Sequence, residues 1–234
     1  MITALDFVLL RLNKNRKAEV LLYKRQDGIY TIIGGQIFDK GRENGFPPDH
    51  DINSAIKRIL LNKVGIEINN LEQINQVFGS RDRDSRGWSV SIPFCGFVSA
   101  EESDALELSE NHRWVSVNEI LDKANGEYTH KLPFDHNELV SKVMLHIHRK
   151  IGYSSSVLYA LPKKFKISDI TSAYAAFGLS VSRQTVHNRI VGNGCIVAIK
   201  DENEPKSAGK PAQIFMLYEK EITYFDICIG KKIN

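Results

Sequence analysis

The chain has 234 residues, 42% hydrophobic and 25% charged, which suggests one large domain or two ordinary ones and excludes broad disorder. Its net charge of +3 is unevenly spread: residues 1–150 hold 20 Lys and Arg against 21 Asp and Glu, and residues 151–234 hold 11 against 7. The C-terminal third is therefore the expected contact for a polyanion.

The three cysteines, Cys95, Cys195 and Cys228, are far apart and form no CxxC pair. That pattern argues against a disulfide framework or a zinc ribbon and fits a reducing compartment. The first residues lack a basic region followed by a cleavage site, and no apolar run approaches the roughly 18 residues needed to span a bilayer. A soluble, cytoplasmic protein is expected.

In chain order, residues 2–12 and 18–25 read as strands around a polar turn at Asn13, Lys14 and Asn15. A short strand at residues 30–33 leads into Gly34 and Gly35, followed by a loop over 38–50 rich in Asp, Gly, Asn and Pro. Ala55, Ile56, Ile59, Leu60 and Val64 recur at helical spacing, predicting a helix over 52–64 that Gly65 ends. Residues 71–79 and 88–98 read as paired strands, with a charged connection over 80–87. Residues 113–115 form a further short strand, and 135–151 an amphipathic helix closing a first domain. Residues 152–156 are expected to be the linker.

Beyond it, a short helix is expected near 157–161. Another runs to Phe177 with Ser168 as its cap, and a third over 183–191 starts at the cap Ser182 and ends at Gly192, Asn193 and Gly194. Strands over 195–200 and 213–218 flank a polar connection. Three helices followed by a hairpin with a long tip is the order of a winged helix-turn-helix.

The strand, paired glycines, loop, helix and Gly65-Ile66 together resemble the Nudix hydrolases. In that family the helix carries glutamates that hold magnesium against a pyrophosphate, because Mg²⁺ demands hard oxygen ligands. Alignment on Arg58 and Gly65 places the three glutamate positions at Ile59, Asn62 and Lys63, none a carboxylate. The spacing from Gly35 to Gly65 exceeds the family's, Ile32-Ile33 stand where a leucine-proline pair is usual, and only Glu43 lies near the early loop glutamate. No catalytic residue and no metal ligand is assigned. Lys63 either places a fixed charge where the metal sat or is an ordinary solvated helix residue.

The run Ser80-Arg81-Asp82-Arg83-Asp84-Ser85-Arg86-Gly87-Trp88 is the most specific stretch. With the degenerate helix, Leu132-Pro133-Phe134-Asp135-His136, Gly209-Lys210-Pro211-Ala212 and the winged helix, the whole chain resembles the Nudix-related transcriptional regulators often called NrtR. The resemblance implies an α/β/α Nudix sandwich of mixed α+β and α/β character over residues 1–151, for sensing and dimerisation. It implies a DNA-binding winged helix over 152–234. It further implies a homodimeric repressor of NAD or related metabolism that binds a palindromic double-stranded operator and takes ADP-ribose or a similar nucleotide as effector, with no cofactor. Gly34, Gly35, Lys63, Arg81, Arg83 and Arg86 become candidates for the ligand, the arginines alternatively for the dimer, because guanidinium forks suit phosphates. Asp82 and Asp84 order the arginines, and Trp88 is expected in the core.

For DNA, the candidates are Arg183, Gln184, Thr185, His187, Asn188 and Arg189 on the third helix, since Arg suits guanine and Asn or Gln suits adenine edges. Val186 and Ile190, four apart, should face the core. Lys206 and Lys210 would reach phosphate or the minor groove from the wing tip, with Lys163, Lys164 and Lys166 adding backbone contacts. The rival reading is an active pyrophosphohydrolase using displaced acids such as Glu43 and Glu67. His146 and His148, two apart on a helix, face different directions and make poor metal partners. His130 and His136 are expected to be structural.

Overall fold

A computed structural model describes residues 1–40, 47–107, 110–204, 212–218 and 221–225. The first half is one mixed seven-stranded sheet. Its elements are β1 (Ile2–Leu12), β2 (Ala18–Lys24), β3 (Tyr30–Gln36), helix α1 (Ile52–Lys63), β4 (Glu72–Gln73), β5 (Phe78–Ser80), β6 (Ser89–Phe97), α2 (Ala100–Glu107), β7 (His112–Ser116) and α3 (Val117–Leu121). A small hairpin of β8 (Lys123–Ala124) and β9 (Glu127–Tyr128) precedes α4 (His136–Lys150). The order in the sheet is β4-β6-β1-β3-β2-β7, with β5 also on β6, and β1 runs parallel to β6 while its other neighbours are antiparallel.

The central strand β1 is apolar on both faces, as a strand covered on both sides must be. Leu5, Phe7 and Leu9 face α1, with Ile59, Leu60 and Val64. Val8, Leu10 and Leu12 face α4 and the C-terminal half. Helix α1 starts at a reciprocal cap: Asp51 accepts from Ser54 N (2.7 Å) and Ser54 Oγ accepts from Asp51 N (2.9 Å). It stops where Gly65 turns left-handed (φ +79°). The expected strand over 71–79 breaks into β4 and β5, because Ile74 N turns to Pro93 O (3.1 Å) and Pro93 has no N–H to return.

The C-terminal half comprises a 3₁₀ turn (Ser156–Ala160), α5 (Ile167–Ala176), α6 (Arg183–Val186) continuing as a single π-helical turn (His187–Val191), and the hairpin β10 (Ile196–Glu204) and β11 (Ala212–Leu217). Phe165 joins the edge of this hairpin through a single bridge to Phe215 (3.0 and 2.8 Å). Ser168 is not the cap of α5. The helix begins one residue earlier, and Asp169, with its stronger acceptor, takes the Lys166 N–H (2.8 Å).

The segment read as a linker is packed rather than exposed. Ser154, Ser155 and Ser156 are buried, and residues 153–155 pair with the returning chain at Thr223 and Phe225. One hydrophobic core continues across this join, with Phe97 of β6 edge-on to Phe177 after α5 (5.3 Å). Arg16 in the β1–β2 turn also reaches Asp169 of α5 (2.6 Å). Trp88 is not in the core. It is 46% exposed and lays its ring over Gly79, where a Cβ would come within 3.1 Å of it. Among the described residues, no helix is long and apolar enough to cross a membrane.

Candidate ligand cleft and nucleic-acid interface

A cleft of about 890 Å³ opens between β1, β3, α1, the turn at residues 83–86 and the segment at 133–136. The paired glycines form its floor, each for a separate steric reason. Gly34 lies opposite Asp6 in the β1–β3 register, and a Cβ there would sit 2.1 Å from Asp6 Oδ1. Gly35 faces α1, where a Cβ would sit 2.9 Å from Ile59 Cγ1. The strand thus admits a buried carboxylate on one side and a helix side chain on the other.

Most of the charge in the cleft is internally matched. Arg58 grips Asp49 through two hydrogen bonds of 2.7 Å, donates to Gln36 O (2.8 Å) and stacks on Phe38 (3.8 Å). That grip, with Phe38 N donating to Asp49 (2.7 Å), pins both ends of the 38–50 loop, and the Arg58 hydrogen bond holds the Asp49 carboxyl below its usual range. Arg83 is buried and spans Asp135 (2.9 Å) and Asp6 (2.5 Å); Asp6 also accepts from Ser91 (2.6 Å). Arg86 is exposed but chelates Asp84 (2.9 and 2.6 Å), whose carboxyl the Arg86 hydrogen bond lowers to about 2. Arg25 pairs with Asp27 (3.0 Å) and lies over the Phe134 ring (5.5 Å).

His136 hydrogen-bonds Thr31 Oγ1 (2.6 Å), and burial depresses its pKa, so the ring is held neutral. It lines the cleft beside Phe134, whereas His130 lies outside the lining and meets Glu119 (3.0 Å). His146 faces Glu72 and His148 packs beside Gly178, in keeping with their opposed directions.

Lys63 differs from the four arginines. Its Nζ donates to Gly34 O and lies 5.3 Å from the Tyr23 ring, and burial lowers its pKa, with Asp6 opposing and Arg25 and Arg58 reinforcing the shift. The turn carrying it is tied down by His112 Nε2 on Lys63 O (2.7 Å).

The cleft gathers Gly34, Gly35, Lys63, Arg83 and Arg86, whereas Arg81 is exposed outside its lining. The Arg83 guanidinium is spent on two carboxylates and acts as a strut. Phe134, Arg25 and Tyr23 line the cleft and were missed as ligand candidates. The available signal for Phe134 was its place between proline and aspartate, where it adopts a left-handed backbone (φ +57°) rare for a bulky residue.

A divalent metal does not fit the helix positions the Nudix fold reserves for it. Ile59 is 2% exposed against Gly35, Asn62 offers an amide, and Lys63 is a cation. Among the described residues no cluster of three His, Cys, Asp or Glu is placed to hold a metal ion. Glu67 pairs with Lys57 (3.0 Å) and lines a separate hollow, so it offers the cleft no displaced acid; Glu43 lies outside the described residues.

The candidate DNA face is helix α6 with its π-helical extension. Val186 and Ile190 are fully buried, which turns Arg183, Gln184, His187 and Asn188 to solvent and leaves Thr185 and Arg189 partly covered. Ser182 Oγ accepts from Thr185 N (3.0 Å) and shares a hydrogen bond with its hydroxyl (2.9 Å), so Thr185 serves the cap. Gln184 donates to Asn188 Oδ1 (2.8 Å), fixing the two amides relative to each other. Lys163 and Lys164 are exposed, whereas Lys206 and Lys210 lie outside the described residues.

No protein-family model matches the chain. A curated relative from Acinetobacter baylyi, described as the ADPR responsive transcriptional repressor NtrR, is 25% identical over 204 residues, spanning 84% of this chain and 74% of the relative. The crystal structure of NrtR from Shewanella oneidensis superposes with a TM-score of 0.75 at 20% identity, covering 93% of this chain and 94% of that one. The same protein complexed with a 27mer DNA gives 0.74 at 20% identity, over 92% and 93%. A MutT/nudix family protein from Enterococcus faecalis gives 0.64 at 19% identity, over 93% and 86%. The fold is thus a Nudix α/β/α sandwich followed by a winged helix-turn-helix.

Proposed function

We propose that this chain, a member of the Nudix-related transcriptional regulators often called NrtR, is a ligand-responsive repressor of genes of NAD or related metabolism. Residues 1–151 sense a nucleotide and dimerise, residues 152–234 read DNA, and the protein works in the cytoplasm. The observation that carries this reading is the chemistry of α1: where hydrolysis needs carboxylates the helix presents a hydrocarbon, an amide and an ammonium, at the edge of a cleft still large enough for a nucleotide. The cleft therefore recognises its ligand and does not cut it.

ADP-ribose or a similar nucleotide is the effector, in line with the Acinetobacter baylyi relative's description. Gly34 and Gly35 line the ligand's side of the strand, Lys63 and Arg86 meet its phosphates, and Arg83 holds the carboxylates behind them. Arg81, outside the cleft, is assigned to the dimer contact. Arg183, Gln184, His187, Asn188 and Arg189 read base edges, with Lys206 and Lys210 on the backbone. Two-fold symmetry of a homodimer requires a palindromic operator. The join between the halves supports signal transfer, because a continuous core and the Arg16–Asp169 pair link the sensing sheet directly to α5.

The deciding experiment is an electrophoretic mobility shift with the chain's own upstream DNA, with and without ADP-ribose. A retarded band that ADP-ribose releases is expected. No retardation, or release of AMP from ADP-ribose in magnesium, overturns the reading.

A further inference from the structure

One cation of the cleft has no carboxylate of its own. Among the described residues lining it there are five cations, of which Arg25, Arg58, Arg83 and Arg86 each hold an aspartate. Lys63 has no carboxylate. Its Nζ gives one hydrogen bond to Gly34 O, and an ammonium carries three donors, so two remain for a ligand. Burial makes that charge costly and pushes its pKa down, with Asp6 opposing from beyond ion-pair distance, and an anion set directly against the ammonium offsets the cost.

The position is fixed rather than incidental. Lys63 closes the last turn of α1, where a cation is favoured by the helix dipole, and His112 locks that turn through the Lys63 carbonyl (2.7 Å). Ile59 seals the neighbouring position against Gly35, and Asn62 adds an exposed amide donor on the same rim.

We infer that the Lys63 ammonium takes over the electrostatic task of the Nudix metal, so that this cleft binds the diphosphate of its ligand without any divalent cation. The inference rests on the reading of the cleft as a nucleotide sensor and adds to it which residue meets the diphosphate and what that contact does without. A point charge with free donors replaces the metal's attraction for phosphate oxygens but polarises no water for attack, which separates holding from cutting.

The test is isothermal titration of the full chain with two probes, ADP-ribose and ADP, each in magnesium and in EDTA. Wild type is expected to bind with the same affinity in both buffers. Lys63→Met, which keeps the stem and removes the charge, should weaken both probes about tenfold or more, and Lys63→Arg should restore most of the loss. Lys63→Glu should abolish binding in EDTA and recover part of it in magnesium, with thermal melting of each variant as the folding control. Binding of wild type that collapses in EDTA, or a folded Lys63→Met variant with wild-type affinity, overturns the inference and leaves the sensor reading standing. Lys63-dependent binding of ADP without binding of ADP-ribose would sustain the inference and sink the choice of effector. Failure of both probes sinks both.

Discussion

Ile59 packs its side chain into the space left by Gly35, with Cγ1 2.9 Å from where a β-carbon on residue 35 would stand. The strand can therefore lie against α1 only while residue 35 has no side chain. Gly35→Ala is expected to lift the helix and cost about 1–3 kcal/mol, the range for overpacking a filled interior. The same contact argues that catalysis is not one substitution away. Ile59→Glu would bury a carboxylate among Leu5, Phe7 and Leu9, so it should destabilise the fold and yield no magnesium-dependent release of AMP. Urea denaturation and a nucleotide-hydrolysis assay on the two variants check this; robust hydrolysis by a stable Ile59→Glu protein would refute it.

Arg83 and Arg86, three residues apart in one turn, should separate cleanly by variant. The Arg83 side chain is 6% exposed, and its removal leaves the buried Asp6 carboxylate with only the Ser91 hydroxyl and no cation, so Arg83→Met should cost roughly 3–5 kcal/mol of folding stability. Arg86 is 61% exposed and bound to one neighbour, so Arg86→Ala should change stability by about 1 kcal/mol or less while weakening ADP-ribose binding roughly tenfold. Chemical denaturation paired with titration calorimetry reads both; equal stability losses would show that the two arginines do the same job.

The local periodicities carried through to the structure, and the long-range pairings did not declare themselves. Val186 and Ile190, four apart, predicted a buried face, and both are fully buried. Gly65 predicted the end of α1 because a left-handed residue is needed there. By contrast, Arg83 sits in a run of charges that reads as a ligand or dimer contact; nothing local says that it meets Asp6 and Asp135, 77 and 52 residues away. Trp88 looked like core because it is large and apolar, yet its ring covers Gly79 from the solvent side. The serines at 154–156 look like a linker by composition, and they are buried because the chain returns at Thr223 and Phe225 to satisfy their backbone. The Lys63–Gly34 contact, which holds the Lys63 ammonium in the cleft, was legible only as a residue type at a helix position.

The Asp84–Arg86 chelate should leave a mark on acid stability. The Asp84 carboxyl titrates at about 2 when folded against an ordinary 3.8, through the Arg86 hydrogen bond. A depressed folded value stabilises the protein above pH 3.8 and loses that contribution as pH falls towards 2. Solvent screening around the exposed Arg86 head keeps the effect below about 1 kcal/mol. Denaturation midpoints measured between pH 5 and pH 2 should therefore fall less steeply for Asp84→Asn than for wild type. Parallel profiles would remove the chelate from the acid response.

Gln184 and Asn188 should read DNA as one unit. Gln184 Nε2 donates to Asn188 Oδ1 (2.8 Å), which leaves the Gln184 carbonyl as an acceptor and the Asn188 NH₂ as a donor on two exposed residues of α6 and its extension. An amide acceptor and an amide donor are what the N6 and N7 edge of adenine takes, and losing such a contact costs about 1–3 kcal/mol. Either alanine substitution frees the surviving amide from its orienting partner, so the double variant should lose little more than each single one, which is non-additivity of bonded neighbours. Arg183→Ala, on the same face but outside the pair, should add its loss in full. Mobility shifts against the operator, with ADP-ribose affinity as the control for an intact fold, separate these outcomes. Fully additive losses at residues 184 and 188 would mean that the two amides contact DNA independently, and wild-type affinity in all three variants would remove this helix as the reader.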